Sequence, residues 1–283
     1  MTAMGAVAHR VDTPMLGDVQ EAAFFDLDKT VIAHGALVAF GGPFRREGMV
    51  TRRVLARTIW NGLLFRTFGA DEERMRRFRE STLQITRGWD HDSVTSIVQR
   101  TLAEVIDPIV YDEAIVLIEG HRASGRLVYL VSASPEEIVA PLATHLGLDG
   151  IIASRALLDD DGRYTGEVAF YCYGEQKVDA IVDLATRRDI DLTRSFAYSD
   201  SATDLPMLRA VGHPIAVNPD RELARVATVE GWPIVEFVHR VPLRDRVALP
   251  STGRARVLTA AGVILTVGTM IVLTSVLRRR RTD

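Results

Sequence analysis

Short apolar runs alternate with longer amphipathic segments along most of the chain. Apolar runs of strand length occur at five places: Ala22–Phe25, "RLVYLVSAS" ending at Ser132, the stretch around Ile151, "RSFAYSD" and "PIAV". Segments with helical spacing of apolar residues are found at Pro135–His145, Glu175–Arg187 and Leu205–Ala210. The segment "RALLDDDGRYTGEVAFY" alternates about Asp161-Gly162 and predicts a hairpin. Strands and helices in this order predict an α/β fold whose parallel sheet is covered by helices on both faces.

A long helical block separates the first strand from the second. Apolar residues keep helical spacing through "VTRRVLARTIWNGLLFRTF", "DEERMRRFRESTLQI", "HDSVTSIVQRTLAEVI" and "YDEAIVLIEGHRASG". The last of these segments ends near Gly125, and glycine is typical of helix C-termini. We interpret the block as an insertion that forms a lid over the sheet. The predicted domains are an N-terminal tail at 1–21, a core at 22–35 and 115–240, a helical cap at 36–114 and a linker at 241–256.

The segment 257–277, "VLTAAGVILTVGTMIVLTSVL", contains 21 residues without a charge. A helix needs about 20 residues to cross a bilayer core, and a buried helix of a globular domain seldom lacks a polar stripe over that length. We therefore predict a transmembrane helix, followed by a basic tail at 278–283. Arginines flank the helix on both sides, so their bias does not fix its orientation. Because Met1–Glu21 lacks the apolar run of a secretory signal, we expect the large N-terminal part in the cytoplasm.

The composition is that of a globular protein and excludes several classes. Hydrophobic residues make up 47% of the chain and charged residues 25%. A net charge of -3 argues against a general nucleic-acid binder, and the single cysteine, Cys172, excludes an internal disulfide. Of the 34 basic residues, only Lys29 and Lys177 are lysines. Since ammonium and guanidinium groups are not interchangeable at a tight site, these two positions are candidates for specific chemistry.

Polar side chains stand at the ends of three predicted strands. Asp26 and Asp28 follow the first strand, Ser132 ends the second, and Asp200 and Asp204 follow "RSFAYS". In open parallel sheets, ligands bind outside the carboxyl ends of the strands. These groups are up to 178 residues apart in the sequence, from Asp26 to Asp204, yet could meet at one edge of the sheet.

Each candidate also has a structural interpretation. Aspartate is common where a strand gives way to a turn, Ser134 and Glu137 have the spacing of a capping box, and Asp204 could cap the helix that follows it. Lys177 is harder to explain in this way, because it lies in the first turn of its predicted helix, where the helix dipole disfavours a cation. A lysine at that position indicates an anion nearby.

Four segments, in order, resemble the motifs of the haloacid dehalogenase superfamily, specifically subfamily IB, which contains phosphoserine phosphatase. The segments are "DLDKT" at 26–30, the strand end at Ser132, "GEQK" ending at Lys177, and "SDSATDLPML" at 199–208. The match spans residues 22–220. It implies a Rossmann-like core with an inserted helical cap of the C1 type, and a Mg²⁺-dependent phosphomonoester hydrolase.

The resemblance implies a role for each motif residue. Asp26 is expected to attack the phosphorus atom and form an aspartyl-phosphate, and Asp28 to act as general acid and base. Lys177 is expected to neutralise charge on the phosphate and the nucleophile. Mg²⁺ is expected on the carboxylates of Asp26 and Asp200 and on the main-chain carbonyl of Asp28, with Asp204 behind these ligands.

The substrate phosphate is expected to be bound by the second motif. The resemblance implies a hydrogen bond from the hydroxyl of Ser132 and others from main-chain amides such as that of Ala133, while Thr30 supports the first motif. Two features depart from phosphoserine phosphatases: "VIAHGALVAFGG" lacks the acidic residue that usually meets the substrate ammonium, and Ser132-Ala133-Ser134 replaces the common Ser-Gly-Gly. The resemblance therefore does not identify phosphoserine as the substrate.

Two alternatives share this fold. The predicted membrane helix and an arginine-rich cap favour a phosphatase of lipid or lysolipid phosphates, although a solvated helix face explains the same arginines. These arginines are Arg66, Arg74, Arg76, Arg77 and Arg79. The other alternative is a membrane-tethered regulatory module without turnover, and the intact motif carboxylates and Lys177 argue against it. The expected partners are thus a phosphorylated small molecule or lipid phosphate, and a membrane.

Overall fold

The computed structural model describes residues 19–51, 53 and 83–240. The described residues form a seven-stranded sheet in the order β4-β3-β2-β1-β5-β6-β7. The strands are β1 Ala22–Phe25, β2 Leu127–Pro135, β3 Gly150–Leu158, β4 Tyr164–Phe170, β5 Phe196–Ser199, β6 His213–Val217 and β7 Ile234–Val235. Neighbouring strands are parallel except β3 and β4, which form an antiparallel hairpin at one edge. The predicted α/β fold with a mainly parallel sheet is confirmed.

Helices connect the strands. They are α1 Ala36–Ala39, α2 Gly41–Arg46, α3 His91–Ile106, α4 Asp112–Ala123, α5 Glu136–His145, α6 Glu175–Arg188, α7 Leu205–Arg209 and α8 Arg221–Glu230. Local sequence sets several of their ends: Asp90 caps α3 by accepting a 2.8 Å hydrogen bond from the amide of Ser93. After α4, Gly125 takes a φ of 76°, a conformation that glycine adopts without strain.

The strand β2 extends further than the sequence predicts. It was expected to end at Ser132, but it continues to Pro135 because β2 keeps its pairing with β3 through a shift of register between these two residues. The following helix begins at Glu136 rather than Pro135. The end of β2 therefore places Ser132, Ala133 and Ser134 in extended backbone at the carboxyl edge of the sheet.

Helices cover both faces of the sheet. In β1 every residue is buried, and neighbouring side chains enter different cores. Phe25 packs in an apolar cluster with residues of α3, α4 and α5, whereas Phe24 packs in a second cluster with residues of α6, α7 and α8. Because both faces of β1 are buried, its sequence is apolar at every position and does not alternate with polar residues.

The segment between β1 and β2 contacts the β3–β4 hairpin. The amide of Gly88 donates to the carbonyl of Tyr164 at 2.8 Å, and the amide of Tyr164 donates to the carbonyl of Trp89 at 3.0 Å. At the base of the segment, the amide of Ala33 donates to the carbonyl of Ile109 at 2.8 Å. The boundaries of the predicted cap, 36–114, stay a prediction.

Three predicted features fall outside the described residues. They are the arginines of the cap from Arg66 to Arg79, the N-terminal tail up to residue 18, and the transmembrane helix at 257–277 with its linker and basic tail. Within 19–51, 53 and 83–240, no helix is both long enough and apolar enough to cross a bilayer.

Candidate active site

The end of β1 places Asp26 and Asp28 at one edge of the sheet. The amide of Asp26 donates to the carbonyl of Tyr198 in β5 at 2.9 Å, so parallel pairing continues as far as this aspartate. The chain then turns sharply: the amide of Val31 donates to the carbonyl of Leu27 at 3.0 Å, and Lys29 takes a φ of 64°. Both aspartates line a cavity of about 440 Å³.

Lys177 forms an ion pair with the carboxylate of Asp26. It lies in the first turn of α6, is 2% exposed, and donates hydrogen bonds to Asp26 Oδ1 at 2.7 Å and to Asp204 Oδ2 at 2.9 Å. Burial alone lowers the pKa of Lys177, but the carboxylates of Asp204 and Asp26 more than reverse this and raise it above its usual range. Lys177 therefore stays an ammonium ion. The anion expected near this lysine from its position in the helix is present as the carboxylates of Asp26 and Asp204.

Asp204 holds the lysine in place and does not cap a helix. It is 3% exposed, and its Oδ2 also accepts a 2.7 Å hydrogen bond from the hydroxyl of Ser199. Although Asp204 occupies the N-cap position of α7, its side chain makes no capping hydrogen bond there. The capping interpretation of Asp204 is wrong, because Lys177 and Ser199 engage its carboxylate instead.

Asp28 is fixed by hydrogen bonds to both of its oxygens. The amide of Ala36 donates to Oδ1 at 2.8 Å, and the hydroxyl of Ser134 donates to Oδ2 at 3.1 Å. Burial raises the pKa of Asp28, and these two hydrogen bonds oppose the rise. The amide of Ser134 in turn donates to the hydroxyl of Ser132 at 3.0 Å.

Ser134 makes a contact that was not predicted from the sequence. A capping box with Glu137 was one interpretation of this residue, but α5 has Pro135 at its N-cap position and no side chain caps it. That interpretation is wrong, because the serine hydroxyl turns towards Asp28. The only signal in the sequence was the replacement of the common Ser-Gly-Gly by Ser132-Ala133-Ser134.

Asp200 approaches the site from the end of β5. It is 7% exposed, and the ammonium of Lys29 lies 3.5 Å from its Oδ2. Lys29 itself is well exposed, with 58% of its side chain accessible, so it is a weaker partner than the buried Lys177. Burial raises the pKa of Asp200 to about 6, and Lys29 opposes this rise.

The site holds more negative than positive charge. Burial raises the pKa of Asp26 well above its usual range; Lys177 opposes this, while the carboxylates of Asp204, Asp200 and Asp28 add to it. Four carboxyl groups thus share two lysines, an oxygen-rich arrangement suited to a hard divalent cation.

The described part of the chain does not bring three or more His, Cys, Asp or Glu side chains together as a metal site. The predicted Mg²⁺ ligands include only two side chains, those of Asp26 and Asp200, with the main-chain carbonyl of Asp28 as the third ligand. The metal site stays a prediction.

The remaining predicted phosphate-binding residues fall into two groups. Ser132 and Ala133 line the same cavity as Asp26 and Asp28. Thr30 is fully buried and does not line that cavity, and its hydroxyl has no hydrogen-bond partner within 19–51, 53 and 83–240. Support for the first motif by Thr30 therefore stays a prediction, as do the roles assigned to Ser132 and Ala133.

Comparisons with known proteins agree with this geometry. The sequence profile of the haloacid dehalogenase-like hydrolases matches residues 23–209. A probable phosphatase of Mycobacterium tuberculosis is 47% identical over 242 residues, which cover 86% of this chain and 84% of that protein. The inhibition of morphological differentiation protein of Streptomyces azureus is 48% identical over 226 residues, covering 80% and 82% of the two chains. A phosphoserine phosphatase of Mycobacterium tuberculosis is 32% identical over 250 residues, covering 87% and 79%.

Solved structures share the fold. A protein of unknown function from Bordetella pertussis superposes with a TM-score of 0.65 at 28% identity, covering 77% of this chain and 98% of that one. An analogue of the phospho-aspartyl intermediate of phosphoserine phosphatase superposes with a TM-score of 0.57 at 20% identity, covering 81% and 97%. The site geometry, the profile match and these relatives lead to one conclusion: the chain belongs to the haloacid dehalogenase-like hydrolases and is a phosphatase of that family.

Proposed function

We propose that the protein hydrolyses phosphate monoesters through an aspartyl-phosphate on Asp26. The observation that carries this proposal is the 2.7 Å contact between Asp26 Oδ1 and the buried ammonium of Lys177, in a cavity that Asp28 and Ser132 also line. A carboxylate held beside a fixed cation is suited to attack phosphorus, because the cation compensates charge on the phosphoryl oxygens.

Two displacements complete the reaction. Asp26 forms a bond to phosphorus while the bond from phosphorus to the ester oxygen breaks, and Asp28 gives its proton to the departing alkoxide. Asp28 then takes a proton from water, whose oxygen attacks the aspartyl-phosphate and releases inorganic phosphate and free Asp26. The raised pKa of Asp28 supports its role as the initial acid, since burial favours the protonated form.

We also propose that Mg²⁺ is the cofactor. The carboxylates of Asp26 and Asp200 and the main-chain carbonyl of Asp28 would hold the ion, which would supply positive charge to compensate the negative charge of the phosphoryl group. The excess of buried carboxyl groups over lysines supports this choice. Removal of divalent ions with EDTA is expected to abolish phosphate release, and added Mg²⁺ to restore it.

The Asp26→Asn variant tests the covalent mechanism. It keeps the size of the side chain but removes the nucleophile, so phosphate release is expected to fall by at least about 10⁴-fold while the circular dichroism spectrum stays unchanged. Asp183→Asn is the matched control, because Asp183 is an exposed aspartate of α6 that pairs with Arg187. Turnover retained in Asp26→Asn would exclude the covalent mechanism.

The apolar segment 257–277 supports a second proposal, that the protein is anchored to a membrane with its phosphatase domain on the cytoplasmic side. A full-length chain is expected to sediment with membranes, and a chain lacking 257–283 to stay in the supernatant with its activity intact. A truncated chain that still sediments with membranes would rule out this segment as the anchor.

A further inference from the structure

Away from the carboxylates, the cavity wall formed by the described residues is mainly apolar. The cavity is about 440 Å³, in the lower part of the range of about 300–1,000 Å³ typical of ligand pockets. Its lining includes Leu37 of α1, Phe44 of α2 and Val94 of α3. The rings of Phe44 and Trp89 lie 5.8 Å apart, and both residues line the cavity. A leaving group that extends from the phosphate into this space contacts carbon atoms on this side.

The acidic residue in this wall, Glu137, is bound by neighbouring side chains. Its side chain is only 5% exposed, and its Oε1 accepts a 2.8 Å hydrogen bond from the hydroxyl of Tyr164 and lies 3.6 Å from His91 Nε2. Its second oxygen is also buried and has no hydrogen-bond partner among the residues that the structure describes. Glu137 raises the pKa of Tyr164 further above the value that burial already produces, so Tyr164 remains a donor to this carboxylate. Tyr164 therefore already engages one oxygen of this carboxylate, which makes Glu137 a weaker partner for a ligand than an exposed carboxylate.

Outside the carboxylate cluster and the two lysines paired with it, two charged side chains line the cavity in the described part of the chain. They are Glu137 and Arg155 of β3. Arg155 favours the approach of the phosphate dianion and disfavours a second positive charge in the same substrate. An ammonium on the leaving group would meet mainly carbon atoms and the cation of Arg155.

We infer that the leaving group accepted by this site is an uncharged and mainly apolar alcohol of moderate size. The inference rests on the proposed phosphomonoesterase function and specifies its substrate class. Apolar contact with Leu37, Phe44 and Trp89 stabilises such a group in the bound state and in the transition state. An amino alcohol or amino acid phosphate loses that contact and brings a cation into an apolar wall.

Two substrate comparisons with the full-length chain and Mg²⁺ test this inference. Across ethyl, butyl and hexyl phosphate, kcat/KM is expected to rise about fourfold per methylene until the cavity is filled. The second comparison uses 4-propylphenyl phosphate and tyramine phosphate, which differ by a terminal methyl group in place of an ammonium. The propyl compound is expected to have at least about tenfold higher kcat/KM. Phosphoserine and a lysophosphatidic acid complete the panel.

Two neighbouring residues of α1 provide matched variants. Leu37 is half-buried and lines the cavity, whereas Val38 is 39% exposed and does not line it. Leu37→Asp is expected to reduce the preference for the propyl compound by about tenfold, because a carboxylate in the wall attracts the ammonium of tyramine phosphate. Val38→Asp adds the same charge on the same helix and is expected to keep the wild-type preference.

The outcomes separate this inference from the function on which it rests. Turnover of simple phosphate esters with a preference for tyramine phosphate or phosphoserine would overturn the inference and leave the phosphomonoesterase function intact. Equal changes in Leu37→Asp and Val38→Asp would also overturn it, since Leu37 would then not border the leaving group. Preference for the long-chain lysophosphatidic acid would overturn the moderate size inferred for the leaving group, because the cavity would then not limit the length of that group. Absence of turnover with every ester would overturn the function and the inference together.

Discussion

The two sides of the cavity are built in different ways. The catalytic side consists of charged groups at strand ends: Asp26 and Asp28 after β1, Asp200 after β5, and Lys177 from the start of α6. Away from these groups, the described lining is mainly apolar and comes largely from the segment between β1 and β2, such as Phe44, and from the β3–β4 hairpin, such as Val168. The proposed chemistry thus uses the carboxyl edge of the sheet, and the inferred contact with the leaving group uses the inserted segment and the hairpin.

The two sides of the cavity are therefore expected to determine different properties. The carboxylate side determines the reaction, and the apolar side determines which ester reacts. The carboxylates are held by short hydrogen bonds, such as the 2.7 Å bond from Lys177 to Asp26, so a small change there alters the reaction itself. The apolar wall makes non-directional contacts, so its substitution changes which ester reacts more than how it reacts. Substitutions on the two sides are therefore expected to have different effects on the reaction.

Substitution of Lys177 gives the most severe test of the catalytic side. In Lys177→Met the buried cation between Asp26 and Asp204 is lost, and kcat is expected to fall by about 10³-fold for every ester. The loss is expected to be uniform across the alkyl phosphate series, because Lys177 contacts the carboxylates and not the apolar wall. Initial rates of phosphate release across that series measure both expectations.

The other lysine of the chain is the matched control. Lys29→Met removes an ammonium that is largely exposed and 3.5 Å from Asp200, so kcat is expected to fall by about tenfold at most. Equal losses in Lys177→Met and Lys29→Met would show that net charge, rather than the position of the buried cation, controls the rate. Thermal unfolding of both variants distinguishes a loss of activity from a loss of folded protein.

The catalytic side was predictable from the sequence because its residues occur in short segments that begin or end elements. Asp26 and Asp28 follow a buried strand, and Lys177 lies against a helix dipole. The apolar wall was not predictable, because Phe44 and Val94 have the helical spacing of ordinary core residues and pack in the same apolar cluster as Phe25. Nothing in the pattern shows that one side of such a residue faces a cavity.

The fold likewise has features that the sequence predicts and features that it does not. Strands β1 to β6, including the hairpin, followed from apolar runs and turn residues. The edge strand β7 Ile234–Val235 was not predicted, and neither was the contact between the hairpin and the inserted segment. This contact depends on main-chain hydrogen bonds such as that from Gly88 to Tyr164, which any sequence of suitable geometry can form. The hydrogen bond from Ser134 to Asp28 escaped prediction for another reason: a serine before Pro-Glu-Glu also fits a helix cap.

Substitution of Ser134 is expected to have an effect of intermediate size on catalysis. Ser134→Ala removes one of the two hydrogen bonds that fix Asp28, so protonation of a poor leaving group becomes less efficient. We expect kcat for ethyl phosphate to fall by about tenfold and kcat for 4-nitrophenyl phosphate, whose leaving group needs little protonation, to change by less than about twofold. Single-turnover rates with the two esters measure the difference.

Ser154→Ala is the control for that experiment. Ser154 is also a buried hydroxyl that lines the cavity, but it donates to the carbonyl of Ala133 at 2.8 Å and does not contact Asp28. Its removal is expected to lower stability without changing the ratio of the two rates. If both serine variants change the ratio equally, Ser134 acts by general packing and not through Asp28.

The smallest effect on catalysis is expected at His121, which lies in the core away from both sides of the cavity. His121 Nε2 is 2.8 Å from the hydroxyl of Tyr198, and burial, with a smaller effect of Arg126, lowers the pKa of His121 to about 3. The unfolded chain binds a proton at this histidine below pH 6.5, whereas the folded chain does not until pH 3 is approached. Stability therefore falls as the pH decreases from 6.5 towards 3, by about 1.4 kcal/mol per pH unit from this group.

His121→Gln removes this titration while keeping a polar group near Tyr198. Between pH 6.5 and pH 5.0, the free energy of unfolding of the wild type is expected to include a loss of about 2 kcal/mol that the variant lacks. Urea unfolding at the two pH values measures it, with His34→Gln as the control because His34 is exposed. The alkyl phosphate preference is expected to stay unchanged in both variants. A changed preference in His121→Gln would mean that the core beneath the sheet, and not the wall alone, sets substrate selection.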